Sequence, residues 1–172
     1  KFLTVEEQRK FLEVAESSHD FDQYVLLLET GLRTGELMGL TWDAIDWERR
    51  TLTVNKTLGF QYKEHRWRAG PPKTPHSYRT IPLTNRAYEI LRRRYDLAPT
   101  RKEAEDLFQT LTYVDRRTGE TRNFVMRDLV FVNERTGLPD KNSAYDSHLY
   151  RLCDRAGIKR LGMHALRHTY AT

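Results

Sequence analysis

The chain has 172 residues, with 29 Lys plus Arg against 24 Asp plus Glu and a net charge of +5. That length suits one domain with its own core, and the positive excess favours an anionic partner. A single cysteine, Cys153, excludes an intrachain disulfide and a cysteine-based zinc site and fits a reducing cytoplasm. No apolar run reaches membrane-spanning length, and the first residues lack a signal pattern.

Thr4-Val5-Glu6-Glu7 reads as a capping box opening a helix to about Ser17, with Val5, Phe11, Leu12 and Ala15 at helical spacing. A second, strongly apolar helix carries Phe21, Tyr24, Val25, Leu27 and Leu28, and Gly31 can stop it in the left-handed conformation. Thr34 can cap a short third helix with Leu37 and Leu40, which leaves Arg33 in the tight connection. From Thr51 the period shortens to that of a sheet. Leu52 and Val54 alternate with threonines, Gly59 offers a turn, and Tyr78 to Leu83 gives another strand after the loop Ala69 to Pro75.

Thr84 then caps a helix holding Ala87, Tyr88, Leu91 and Tyr95. Residues 96–127 are polar and weakly periodic, with a turn at Thr118-Gly119, and read as an insertion. Leu129 to Val132 form a short strand or extended segment, and Thr136 to Pro139 a turn. A helix from about Ser143 stops at Gly157, and the closing helix begins near Met163. The expected fold is α+β, mainly α-helical with one small antiparallel sheet between Thr51 and Leu83. Arginines interleaved with aromatics, at Lys63 to Arg68 and Arg92 to Tyr95, suit either a phosphate backbone or a solvated face.

Three segments carry chemistry. Thr30-Gly31-Leu32-Arg33-Thr34-Gly35-Glu36-Leu37 lies near the start, Pro72-Lys73-Thr74 lies in the middle, and Met163-His164-Ala165-Leu166-Arg167-His168-Thr169-Tyr170-Ala171-Thr172 closes the chain. His164 and Arg167, three apart, project from one helix face. Arginine offers a planar fork that binds phosphate oxygens and keeps its charge, and histidine can exchange a proton near neutrality. Taken together and in this order, the segments resemble the active site of the tyrosine recombinase (phage integrase) family.

The resemblance implies a catalytic domain that cuts and rejoins DNA through a covalent phosphotyrosine, in integration or excision of a mobile element, without metal or nucleotide. Arg33 and Arg167 would bind the scissile phosphate, His164 would act in proton transfer, and Lys73 would protonate the leaving oxygen, with Lys56 and Lys63 as alternatives. Glu36 would orient a nearby arginine or buttress the turn. His168 is expected to cap or pack, and Tyr170 to join the core. Arg79 can pair with a neighbour or touch DNA.

The implied partners are double-stranded DNA, three further copies in a homotetramer, and an accessory DNA-bending or excision protein. The setting would be a bacterial or phage-encoded cytoplasmic enzyme. The nucleophilic tyrosine and the second His or Trp position are expected beyond Thr172, and an amino-terminal DNA-binding region before Lys1, so residues 1–172 alone should not cleave. No cofactor is implied. Asp43, Asp46 and Glu48 read as a solvated turn rather than a metal site, and no glycine-rich phosphate loop of the nucleotide-binding type occurs. The rival readings are a type IB topoisomerase-like enzyme and a non-catalytic DNA-binding protein.

Overall fold

In the computed structural model, which describes residues 2–171, the helices are α1 (Val5–Ala15), α2 (Phe21–Thr30), α3 (Thr34–Met38), α4 (Asn85–Leu97), α5 (Asn142–Ala156) and α6 (Met163–Ala171). The strands are β1 (Ile45–Asp46), β2 (Thr51–Val54), β3 (Thr57–Gln61), β4 (Arg66–Gly70), β5 (Arg79–Pro82), β6 (Thr110–Val114) and β7 (Thr121–Val125). The class is α+β. The chain divides into a helical unit, residues 1–34 with 141–172, and a mixed unit, residues 35–140.

In the helical unit α1 opens on the expected capping box: Thr4 Oγ1 accepts from the Glu7 amide, and Glu7 returns a carboxylate to the Thr4 amide. Such a cap stabilises the helix by about 1 kcal/mol. Phe11 and Ala15 are buried as the spacing predicts, but Val5 is exposed, because the first turn faces solvent. Phe11 packs edge-on against Tyr24, whose hydroxyl donates to the Tyr145 carbonyl on α5 at 3.2 Å. The Leu3 amide donates to Thr169 on α6, joining the two ends of the described chain.

Gly31 ends α2 at φ 69°, and a Cβ built there would collide with the Tyr170 ring. Gly31→Ala therefore combines a left-handed penalty with an overlap, and a loss of about 2 kcal/mol or more is expected in a denaturant titration. Tyr170 itself corrects an expectation. It is half-exposed rather than part of the core, since it sits near the end of α6 with its ring laid over a glycine backbone.

The mixed unit corrects the single sheet to several. β1, β2 and β5 form one antiparallel sheet, in which Leu52 pairs with Ile81. β3 and β4 form a separate hairpin. Gly59 makes no turn but pairs with Arg68 in mid-strand, and the reversal falls at residues 62–65, with His65 at φ 49°. The cross-strand rings of Phe60 and Trp67, 5.1 Å apart, carry the ladder past the glycine. Ala69 and Gly70 belong to β4, so the loop begins at Pro71. Gly39 is needed by close approach, because a Cβ there would stand 2.8 Å from the Leu58 amide nitrogen.

The 96–127 segment is structured. β6 and β7 form a hairpin whose turn uses Gly119 at φ 73°. Leu129 to Val132 are buried, held by a bridge from Leu129 to Thr41 and by the Val130 amide on the Leu40 carbonyl, without forming a strand.

Candidate active site

Arg33, His164, Arg167 and His168 all lie in the helical unit. Arg33 follows the left-handed stop at Gly31, so its backbone is set by the end of α2. Arg167, half-buried on α6, donates from Nη1 to the Gly31 carbonyl at 2.5 Å. One helix terminus thus fixes both arginine-bearing segments. His164 lies one turn before Arg167 and titrates below the ordinary histidine range. Loss of surrounding water contributes most, followed by the charges of His168, Arg167 and Arg33. The charges of both arginines thus act on one imidazole.

His168 packs on a ring of its own helix. One turn after His164, it stands edge-on to that ring at 4.3 Å between centroids, so the two exposed imidazoles share a face. The i, i+4 spacing makes that meeting unavoidable on a helix. The last residue of the motif, Thr172, lies outside the described residues.

The mixed unit holds Glu36, Lys73 and the two alternative lysines. Glu36 is buried, and the arginine it holds is Arg79: Nη2 donates to Oε2 at 2.8 Å, Nη1 to Oε1 at 3.1 Å and also to the Ser77 carbonyl at 2.8 Å. This paired fork orients the residues between Ser77 and β5. Arg79→Ala removes the guanidinium from a buried carboxylate, and a loss of about 3 kcal/mol is expected by chemical denaturation. Glu36→Gln should cost less, because Arg79 is part-exposed and can turn toward water.

Lys73 is exposed in the loop after β4. That loop is braced from the β6–β7 turn. Arg116 donates from Nε to the Pro72 carbonyl at 2.8 Å and from its amide to the Tyr78 hydroxyl at 2.9 Å, while the Arg117 guanidinium lies 4.0 Å from the Tyr78 ring centre. Asp115 anchors Arg117, and that arginine draws the Asp115 carboxyl down to about 2. These bracing residues gave no signal in the sequence beyond the turn at Thr118-Gly119.

Lys56 is buried, with Nζ 3.2 Å from Asn55 Oδ1 and 3.4 Å from Asp43 Oδ1; burial pushes its ammonium below the ordinary lysine range, against the pull of Asp43. Lys63 is exposed at the tip of the β3–β4 hairpin. Arg94, from the second basic cluster, is buried and paired with Glu134, so it serves the core. A groove of about 1110 Å³, lined by Arg66, Arg68, Tyr113 and Arg116 among others, opens between the two hairpins and includes none of the expected catalytic residues.

No helix among the described residues is long and apolar enough to cross a membrane. The chain is 29% identical to the tyrosine recombinase XerC-like protein of Caldanaerobacter subterraneus subsp. tengcongensis over 97% of its own length and 41% of that protein's. It is 30% identical to the prophage integrase IntR of Escherichia coli, over 83% of this chain and 33% of that one. The chain therefore spans well under half of either relative. Among solved structures, the Tn1549 transposon integrase in complex with circular intermediate DNA superposes with a TM-score of 0.73 at 26% identity, covering 99% of this chain and 52% of that one. The XerA recombinase shares the fold, with a TM-score of 0.64 at 22% identity over 100% of this chain and 49% of that one. The model of the phage integrase family matches residues 1–172. By sequence and by fold, the chain belongs to the phage integrase family.

Proposed function

We propose that the chain is the catalytic domain of a site-specific DNA recombinase that cleaves and rejoins duplex DNA through a phosphotyrosine. The observation that supports this reading is the hydrogen bond from Arg167 on α6, the helix that also carries His164, to the Gly31 carbonyl two residues before Arg33. A tyrosine oxygen attacks phosphorus, the bond to the 5′ sugar oxygen breaks, and that oxygen leaves with a proton from Lys73. The two arginines take the charge that builds on the non-bridging oxygens. His164 takes the tyrosine proton, a role its lowered pKa favours, since the ring is then neutral at pH 7.

Tyr170 serves packing in this scheme, its ring carbons lying against Gly31. We assign the attack to a tyrosine beyond Thr172, so residues 1–172 bind DNA without cutting it. The cytoplasmic setting, the tetramer on two sites and an accessory protein belong to the same proposal.

The first test is a salt titration of duplex binding by fluorescence anisotropy. Affinity should fall steeply, with a log–log slope of about 0.9 per neutralised phosphate. Binding indifferent to salt, or none at low salt, overturns the reading.

A further inference from the structure

We propose that His19, Asp20 and His148 form a divalent-metal site, suited to zinc, that ties together the two sequence segments of the helical unit. His19 and Asp20 belong to the α1–α2 connection and His148 to α5, and their ligand atoms lie within 4.8 Å of one another. Asp20 is fully buried at the N-cap of α2, a position where a carboxylate ordinarily accepts backbone amides, yet it makes no capping bond. Its Oδ2 meets His148 Nδ1 instead, with the Tyr24 hydroxyl at 3.4 Å.

Asp20 Oδ1 faces His19 Nε2 at 3.1 Å but accepts no hydrogen bond. A buried carboxylate oxygen in that state needs a reason. The 3.1 Å of this His19–Asp20 ion pair is close to the edge of about 3.3 Å that two ligands of one tetrahedral ion span with bonds of about 2.0–2.1 Å, whereas the direct His148 Nδ1–Asp20 Oδ2 contact has to open for an ion to enter. The two rings stand edge to face at 4.8 Å between centroids, so the imidazoles approach the carboxylate from different directions.

Two imidazoles and a carboxylate are a zinc-type donor set, and the Tyr24 hydroxyl supports the carboxylate from behind. The remaining position takes water or another oxygen. Asp20 and His148 are 128 residues apart, so no contiguous motif announces the cluster. The metal's role is structural, a cross-link between the first and last segments of the unit, and it takes no part in strand cleavage.

The test titrates the metal-free full chain with cobalt(II), followed by visible absorption, and with zinc, followed by melting temperature. One equivalent should bind, with the intense bands of four-coordinate cobalt, and zinc should raise the melting temperature. His148→Ala and the near-isosteric Asp20→Asn, each confirmed folded by circular dichroism without metal, should bind at least about tenfold more weakly. The exposed pair His164 and His168 is the rival chelator, and the double variant His164→Ala/His168→Ala should bind like the parent. Absence of the cobalt bands in the parent overturns the site, as does binding that survives Asp20→Asn and disappears in the double variant.

Discussion

Arg167→Ala in the full-length recombinase should slow covalent attachment to DNA by about 10³-fold or more, while site binding falls by no more than about tenfold. Positive charge at phosphorus is worth most when the non-bridging oxygens gain charge in the transition state, so its loss appears in the chemical step. The bond from Arg167 Nη1 to the Gly31 carbonyl fixes the plane of the guanidinium before DNA arrives. Arg167→Lys keeps a charge but not the planar fork and should remain strongly impaired. A suicide-substrate assay measures attachment, and gel shift measures binding. Equal loss of both would make Arg167 a ground-state anchor. A melting curve of each variant separates either outcome from unfolding, since the Gly31 bond also joins α6 to the end of α2.

What the sequence made legible was local. Thr4, Thr84, Gly31 and Gly157 mark helix ends within a few residues of their effect, and all four do so in the structure. Gly59 misleads because a glycine signals a turn only where no cross-strand pair competes, and the Phe60–Trp67 pair does. The β6–β7 hairpin gives a weak apolar pattern because most of its strand residues are exposed; Phe124 alone among them is buried. Arg33, His164 and Arg167 are candidates named by the resemblance of short contiguous segments, which a sequence displays directly. The Glu36–Arg79 pair spans 43 residues, and Arg116 reaches back 44 residues to Pro72. Such contacts are made by tertiary packing and leave no periodic trace.

Lys73→Ala should slow cleavage of normal DNA by about 10²–10⁴-fold. The same variant should recover to within about tenfold of the parent on a substrate whose 5′ leaving oxygen is replaced by sulfur, because a thiolate departs without a proton. The expectation follows from position: Lys73 is exposed, and its loop is held at Pro72 and Tyr78 by Arg116, which limits where the ammonium can reach. Arg116→Ala loosens that brace and should lower the cleavage rate more than DNA affinity, with partial recovery on the sulfur substrate. Lys56 is the serious competitor. Burial lowers its pKa, as a general acid working near neutrality requires, but Asp43 and Asn55 hold its ammonium. Lysine 73 variants that stay equally slow on both substrates, beside a Lys56→Ala variant rescued by sulfur, would move the acid to Lys56 and leave both arginines in their roles.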